Sequence, residues 1–341
     1  MHNQGVKITL HCFEYGRKHA KELEQFCEKI FYYKRNLSFI NLLKTTPFIV
    51  NTRSSSELLK NLLLDDAPII FEGLHSCFFL EHTALENRNK IVRTHNIEHD
   101  YYNNLSKVET KFFQKIYLRI EARKLMRFES VLMHAQHIAA ISKNDELHFK
   151  LQNSNVETIS AFHQNTQINC IEGKGKFVLY HGNLSVSENY NAAIFLVENV
   201  FCKLQIPFVI AGNNAPQVLK NCVSKYPTIS IKENLSTEQI IDLVQQAQIN
   251  ILITQQATGI KLKLLAALYN GRHCVVNSQM VNNTGLEGFC HIGSTTDELK
   301  NLLVKYFAQS FTKHDIEFRK TLENSFFSNK INVEKLLKLL K

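Results

Sequence analysis

Short apolar runs alternate with helix-patterned segments along nearly the whole chain, and this alternation restricts the fold more than any other feature. In the first half, runs of strand length lie at residues 6–12, 29–34, 68–71, 90–94, 137–141 and 156–162. Helical spacing of apolar residues is found between them, at residues 18–28, 54–64 and 105–134. The second half repeats the pattern, with strands predicted at residues 177–180, 207–211, 228–231, 251–254 and 274–277. The predicted fold class is therefore α/β with parallel sheets.

A polar segment with two glycines, residues 164–176, interrupts the alternation and predicts a linker. A chain of 341 residues is long enough for two domains, each with its own core. We predict an N-terminal, acceptor-side domain at residues 1–165 and a second domain at residues 174–312. The C-terminal tail, residues 313–341, is expected to pack back on the first domain. Two doubly wound domains of this kind are expected to face a substrate-binding cleft.

Composition bounds the compartment and the kind of partner. No stretch reaches the 18 or more uninterrupted apolar residues that a membrane span needs, and the N-terminus lacks the pattern of a secretory signal. The eight cysteines are scattered without a C-x-x-C pair, as expected of reduced thiols. We therefore expect a cytoplasmic protein. Its formal charge of +9 favours an anionic partner but does not by itself choose among phosphates, lipid and nucleic acid.

Glycines and polar side chains follow several predicted strands of the second half. Gly182 and Asn183 follow the strand at 177–180, Gly212 follows that at 207–211, and Gly259 follows that at 251–254. Ligands of a parallel sheet bind beyond the carboxyl ends of its strands, where helix N-termini attract anions. These turns are candidate seats for a diphosphate. Each can also be an ordinary tight turn, and Lys261 and Lys263 in the following helix can also simply reach into water.

A second polar group follows a strand of the first half. Residues 93–102 read R-T-H-N-I-E-H-D-Y-Y and include the candidates His95, Asn96 and His99. Glu72 and His75, in F-E-G-L-H, occupy an equivalent loop. The spacing of the histidines does not match H-E-x-x-H, so no metal site is predicted. A histidine that hydrogen-bonds a substrate hydroxyl and a polar loop whose histidines cap backbone groups remain alternatives.

A row of basic residues recurs every four positions along residues 107–127. A basic helix with aromatic neighbours can rest peripherally on an anionic membrane, here the inner face of the cell membrane. A solvated helix face partly neutralised by its glutamates is the alternative. Nucleic-acid binding has only the net charge in its favour and is not expected.

The order of these motifs resembles the GT-B glycosyltransferases of the family 4 (group 1) type, in particular a short bacterial subgroup. The resemblance covers about residues 6–310. It is carried by segments 71–75, 93–102, 139–145 (A-A-I-S-K-N-D), 180–189 (Y-H-G-N-L-S-V-S-E-N) and 258–271 (T-G-I-K-L-K-L-L-A-A-L-Y-N-G), and by the helix with Glu121 and Glu129.

The resemblance implies two Rossmann-like domains and transfer of a sugar, with retention, from a nucleotide-sugar donor without an essential metal or other cofactor. Lys263 matches the basic residue at the donor phosphates, and Gly182 with Asn183 matches the glycine turn near the diphosphate. His95 matches a cleft histidine near the transferred sugar and is the catalytic candidate. Glu72, His75, Asn96 and His99 are the acceptor-side candidates.

This chain departs from the family at the usual Glu-x7-Glu pair, whose positions fall at Thr258 and Ala266. Ala266 cannot hold ribose hydroxyls, and Thr258 offers only a neutral hydrogen bond. The shared motif order nevertheless predicts a hexosyltransferase that acts on a glycan or lipid-linked acceptor in polysaccharide biosynthesis. Its donor site would comprise Gly182, Asn183, Gly212, Thr258, Gly259 and Lys263. The alternative is a GT-B-shaped nucleotide-binding or scaffold protein without activity.

Overall fold

The computed structural model describes residues 1–16, 19–109, 111–255 and 262–341. These residues form two compact units. Unit 1 comprises Met1–Ile159 and the C-terminal Asn332–Lys341, and unit 2 comprises Ser160–Ile331. The predicted site residues Thr258 and Gly259, and Lys261 beside them, lie outside the described residues.

Unit 1 contains two parallel sheets. Strands β1 (Thr9–Phe13) and β2 (Lys29–Tyr33) form a pair. A four-stranded sheet has the order β3-β4-β5-β6, with the bounds β3 (Ile69–Glu72), β4 (Lys90–Arg93), β5 (His137–Ala140) and β6 (Val156–Thr158). Buried Phe71, Val92 and Ile138 from three of its strands pack with Leu125 and Leu132 from the covering helices. The four-stranded sheet therefore holds the larger core of unit 1.

The helices of unit 1 lie between these strands. They are α1 (Ile40–Leu43), α2 (Phe48–Asn51), α3 (Ser56–Leu62), α4 (Glu98–Val108), α5 (Phe112–Phe128) and α6 (Lys143–Phe149), with 3-10 turns at His2–Gln4, Lys21–Gln25, Leu74–Phe79, Thr83–Leu85 and Glu129–His134. Ser55 caps α3 by accepting from the Leu58 amide, and Ser142 caps α6 by accepting from the Asp145 amide. Local hydroxyl caps therefore set two of the helix starts.

Two helix predictions in unit 1 are wrong. The single helix predicted at residues 105–134 is divided into α4, α5 and a 3-10 turn, because the backbone is extended at Glu109 and Lys111. The break lets α4 fold against α5, which one straight helix cannot do. The helix predicted at residues 18–28 is the short 3-10 turn Lys21–Gln25, none of whose residues is buried. It has no packed face to stabilise a longer helix.

Unit 2 contains one six-stranded parallel sheet in the order β12-β11-β10-β7-β8-β9. The strands are β7 (Val178–His181), β8 (Phe208–Ala211), β9 (Ile229–Lys232), β10 (Ile249–Leu252), β11 (His273–Val276) and β12 (His291–Ile292). Counted within the unit, this is the order 6-5-4-1-2-3 of a doubly wound nucleotide-binding sheet. The strand order reverses between β7 and β10, so the ligand crevice of such a sheet lies beyond the ends of these two strands.

Helices cover both faces of this sheet. They are α7 (Ser187–Phe195), α8 (Gln217–Val223), α9 (Thr237–Gln246), α10 (Leu262–Asn270), α11 (Ser278–Val281), α12 (Thr296–Ala308) and α13 (Lys313–Lys320). The last helix, α14 (Asn329–Leu339), begins in unit 2 and lies mostly in the C-terminal segment of unit 1. A π-helical turn, Leu196–Val200, and a 3-10 turn, Phe201–Lys203, prolong α7; further 3-10 turns lie at Glu287–Phe289 and Thr321–Asn324. The predicted α/β class with parallel sheets is confirmed. Within the described ranges, every helix is too short or too polar to cross a bilayer.

Candidate functional site

The loop after β7, at the switch point of unit 2, is shaped by its own hydrogen bonds. Asn183 Oδ1 accepts from the Ser185 amide at 3.1 Å and from Ser185 Oγ at 2.7 Å. Asn189 Nδ2, from α7, donates to the Asn183 carbonyl at 3.0 Å. The predicted Gly182–Asn183 turn is therefore a preorganised loop beyond the carboxyl end of β7.

Gly182 and Gly212 lie against each other in neighbouring loops. A Cβ atom on Gly212 would overlap the Gly182 carbonyl oxygen and would lie 2.9 Å from Leu184 Cγ. Real Cβ atoms essentially never approach a neighbour closer than 3.0 Å. Close backbone packing thus accounts for glycine at 212, and a direct contact of Gly212 with donor stays a prediction.

Lys263 lies in the first turn of α10, next to the β7 loop. Its Nζ donates to Asn189 Oδ1 at 3.3 Å and lies 5.2 Å from the centre of the Tyr180 ring. A lysine in the first turn of a helix is repelled by the positive end of the helix dipole. An anion bound there would be attracted by the lysine and by the dipole. Four predicted donor residues thus lie close together. Asn189 joins Asn183 to Lys263, and Gly182 packs against Gly212.

His181 is a candidate that the sequence reasoning did not select, although it stands in the quoted Y-H-G-N motif. It is the last residue of β7, and its Nε2 has no hydrogen-bond partner among the described residues. Burial, followed by the charge of Lys263, lowers the pKa of His181 to about 4. The ring is therefore neutral at physiological pH and can offer a ligand one hydrogen bond without adding charge.

Glu188 is a second residue that was missed, because it lies inside a helix start rather than directly after a strand. Thr254 Oγ1 donates to Glu188 Oε1, so α7 is joined to the end of β10. Asn277 accepts from the Thr254 amide at 3.1 Å and donates to its carbonyl at 2.6 Å, which adds the end of β11. These contacts join three loops of the switch point. Ala266, where the resembled family has an acid, lies in α10 and offers no polar side chain.

In unit 1, a hydrogen-bonded triad lies at the ends of β3 and β4. Glu72 Oε2 accepts from Arg93 Nη1 and from His95 Nε2, each at 2.9 Å. Burial raises the pKa of Glu72, but the hydrogen bond from His95 and the charge of Arg93 outweigh it, and the net pKa lies below its usual value. The ionised carboxylate can only accept, so His95 Nε2 carries the proton and, in the neutral ring, Nδ1 is the acceptor. Glu72 thus orients the imidazole of His95.

His75 lies beside this triad. Its ring centre is 6.0 Å from that of His95, and it follows Gly73, which has a φ of +83°. A Cβ atom on Gly73 would lie 2.6 Å from the His75 ring. Burial, followed by the charges of Arg53 and His95, lowers the pKa of His75 to about 4. The structure therefore brings Glu72, His75 and His95 together and keeps His75 neutral.

Two neighbours complete this edge of unit 1. Burial raises the pKa of Glu98, the first residue of α4, although His95 and Arg53 partly counteract it. A carboxyl group with a raised pKa near a histidine is a candidate proton carrier, and the sequence motif contained Glu98 without any sign of its burial. Asn96 is half-buried between β4 and α4. Its predicted acceptor role stays a prediction.

His99 lies in a different cluster from His95. Its Nδ1 is 3.2 Å from Glu129 Oε2, and His148 Nε2 is 2.6 Å from Glu129 Oε1. The three candidate ligand atoms lie within 4.8 Å of one another, and two histidines with a glutamate can hold zinc. Each imidazole also satisfies the buried Glu129 carboxylate by a hydrogen bond. The hydrogen-bonded cluster alone therefore explains why the three residues meet.

Comparisons with known proteins agree with this fold. The chain is 24% identical over 319 residues to an uncharacterized 44.6 kDa protein in the cps region of Klebsiella pneumoniae. The match covers 88% of this chain and 78% of that protein. No protein-family model matches the sequence.

Solved structures of GT-B glycosyltransferases share the fold at low identity. A variant of S. aureus TarM in complex with fondaparinux, alpha-GlcNAc-glycerol and UDP superposes with a TM-score of 0.63 at 14% identity. The match covers 86% of this chain and 58% of that one, so the chain spans less than two thirds of the TarM structure. Arabidopsis thaliana UGT89C1 complexed with UDP-L-rhamnose matches with a TM-score of 0.55 at 11% identity, over 99% of this chain and 93% of its own. The chain therefore has the GT-B fold.

Proposed function

We propose that this protein is a retaining glycosyltransferase, a hexosyltransferase, that moves a sugar from a nucleotide-sugar donor to a glycan or lipid-linked acceptor. The observation that carries the proposal is the switch point of unit 2, where Lys263 and the Gly182–Asn183 turn lie beside the end of β7. Two matched structures hold UDP or a UDP-sugar, and a sequence relative is encoded in a polysaccharide (cps) region. A role in polysaccharide biosynthesis follows.

Unit 2 would hold the donor. The Lys263 ammonium would stabilise the negative charge that develops on the departing diphosphate, and such stabilisation is a large term in transfer reactions. The Gly182–Asn183 turn would seat the phosphates. Thr258 and Gly259 stay predicted donor residues. Glu188 and the neutral His181 would help to position the rest of the donor, since Ala266 cannot hold ribose.

Unit 1 would hold the acceptor. His95, oriented by Glu72, would accept a hydrogen bond from a sugar hydroxyl through Nδ1. His75, kept neutral by burial, and Asn96 would add uncharged hydrogen bonds to the acceptor. His99 stays an acceptor-side candidate within its cluster with Glu129 and His148. Glu98, with its raised pKa, could carry a proton. No metal or other cofactor is assigned a role, so a chelator should leave turnover unchanged.

A nucleotide-binding assay tests the donor site. Isothermal titration of the full chain with UDP, GDP and ADP should give binding by at least one, and Lys263→Ala should weaken it by about 10-fold to 100-fold, since a lost charged hydrogen bond costs about 1.5–3 kcal/mol. Lys203→Ala, an exposed lysine of the same unit, is the matched control and should bind like the parent. Absence of binding and turnover across a nucleotide-sugar panel would refute the proposal.

The absence of an acid at Ala266 favours a second candidate, a GT-B-shaped protein that binds nucleotide or acts as a scaffold without transfer. Donor turnover separates the two. Incubation with nucleotide-sugars should release nucleoside diphosphate from the active enzyme and none from the inactive one. Ala266→Glu is expected to increase donor affinity in either case, because it restores an acceptor for ribose hydroxyls.

We further propose a peripheral contact with anionic membrane on the cytoplasmic face, through residues 107–127. Phe112 and Phe113 at the start of α5 are 70% and 85% exposed, next to Lys111 and Lys115. Leu43 on α1 is 88% exposed, and this segment is joined to α5 by a hydrogen bond from Lys124 Nζ to the Leu42 carbonyl at 2.7 Å. Exposed apolar side chains beside basic ones are typical of interfacial helices. Nucleic acid is not a proposed partner.

A further inference from the structure

Two arginines of unit 1 converge on a single hydroxyl group. Arg35 donates to Thr52 Oγ1 through Nε at 3.2 Å and through Nη2 at 3.1 Å. Arg53 Nη1 lies 3.4 Å from the same oxygen and donates to the Ile49 carbonyl at 2.6 Å. Thr52 is fully buried and follows α2, so the backbone fixes the point where the two guanidinium groups meet.

Neither guanidinium has a carboxylate within 4.0 Å among the residues that the structure describes. Two acids of the same edge, Glu72 and Glu98, act electrostatically on this region but do not pair with either arginine. Glu72 is paired with Arg93 and His95, and Glu98 is largely buried, with its pKa raised. Thr52 is neutral, so its hydroxyl does not compensate the two charges. Two cations therefore share one partly buried place without an opposite charge in contact.

The electrostatic effect of this arrangement extends to neighbouring groups. Burial, followed by repulsion from Arg35, lowers the pKa of Arg53 to about 10. Arg53 in turn contributes to the low pKa of His75, which is about 4. His75 lies in the Leu74–Phe79 turn, which packs against α2, and it adjoins His95. The arginine pair is thus linked to the acceptor-side residues at the end of β3.

An oxyanion would resolve this imbalance. A guanidinium group carries five N–H donors in a planar fork that matches carboxylate and phosphoryl oxygens, and the hydrogen bonds named above use few of them. Arginine is the preferred residue for such recognition because charge-assisted, bidentate bonds are stronger than neutral ones. Arg35 also stacks its guanidinium 4.6 Å from the Tyr15 ring centre, which holds the fork in a fixed plane.

We propose that Arg35 and Arg53 bind an oxyanion group, phosphoryl or carboxylate, of the acceptor substrate. The acceptor is then an acidic molecule, such as a phosphate-bearing or uronic-acid-bearing glycan, rather than a neutral sugar. The identification of the anion as part of the acceptor rests on the proposed function. The arginine site itself rests only on the contacts within unit 1.

The experiment uses the full chain carrying Lys263→Ala, so that binding of the probe at the donor site of unit 2 is weakened. Methyl phosphate, glucuronate and the neutral methyl glucoside are titrated by calorimetry at low salt. We expect at least one anion to bind, and Arg35→Gln or Arg53→Gln to raise its dissociation constant by about tenfold or more. Lys60→Gln, an exposed cation on α3 of the same unit, is the control and should leave the constant unchanged. Circular dichroism checks that each variant is folded.

The proposal is overturned if neither anion binds, if both arginine variants bind it like the parent, or if Lys60→Gln weakens binding equally. Preference for methyl phosphate identifies a phosphoryl acceptor, and preference for glucuronate identifies a carboxylate one. Nucleotide binding by the chain with Lys263 intact is measured separately. If nucleotide binds but neither anion does, this inference alone is refuted. If an anion binds at the arginines but no nucleotide or nucleotide-sugar does, the proposed function is refuted and the arginine site stands without its assignment to an acceptor.

Discussion

The contact between Gly212 and Gly182 leads to a quantitative prediction for Gly212→Ala. The added Cβ would overlap the Gly182 carbonyl oxygen, so the two loops must separate by at least about 1 Å to restore a permitted distance. Two backbone hydrogen bonds lie at this point, from the Gly182 amide to Ala211 and from the Gly212 amide to Lys232, each 3.0 Å long. Overpacking typically costs about 1–3 kcal/mol, and a weakened hydrogen bond adds about 1 kcal/mol. The expected loss in free energy of unfolding is therefore about 2–4 kcal/mol.

Urea unfolding measures this loss. With a slope of about 2 kcal/mol per molar, the midpoint of unit 2 should fall by about 1–2 M. Gly288→Ala is the matched control, because its Cβ would meet no atom within 4 Å and its stability should change by less than about 0.5 kcal/mol. Nucleotide affinity should also fall for Gly212→Ala, since the Gly182 turn is displaced. A midpoint and a nucleotide affinity equal to those of the Gly288→Ala control would refute the close-packing argument.

Two further predictions concern charge and surface. The pKa of His181 is about 4 in the folded chain and 6.5 in the unfolded chain, so the unfolded chain binds more protons between these values and stability rises with pH across that window. The free energy of unfolding is therefore about 3 kcal/mol higher above pH 6.5 than toward pH 4, because of this one group. Replacing the histidine removes this dependence, so the urea midpoints at pH 5 and pH 7 should differ less in His181→Gln than in the parent. The double variant Phe112→Ser, Phe113→Ser should lower binding to anionic vesicles in a flotation assay by about tenfold or more, because each phenylalanine buried in the membrane contributes about 1.5–3 kcal/mol. The control is Val218→Ser, at an exposed position of unit 2, which should have no effect. Equal pH dependence in His181→Gln, or equal vesicle binding in the phenylalanine variant, would contradict these two interpretations.

The fold class was predictable because it depends on local patterns. Strand β8, predicted at residues 207–211, begins one residue later and ends where predicted, and α3 lies within the helix predicted at residues 54–64. The predicted length of the helix at residues 105–134 failed for a nonlocal reason. The turn at residue 109 is stabilised by the packing of α4 on α5, and periodicity carries no information about that packing.

The candidate site was predictable only in part. Gly182 and His95 follow strand ends and Lys263 lies in the first described turn of α10, so the rule for parallel sheets let sequence reasoning select them. Sequence reasoning did not select Glu188 or His181, because their interest depends on burial and on a partner 66 or more residues away along the chain.

The sequence alone determined that this chain forms parallel sheets covered by helices, because side-chain periodicity and caps act over a few residues. Only the tertiary structure decided which polar groups meet. Arg35 and Arg53 converge on Thr52, and His99, Glu129 and His148 converge from three separate elements. Such meetings depend on how elements distant in sequence pack, and packing places side chains to within an ångström where sequence spacing does not.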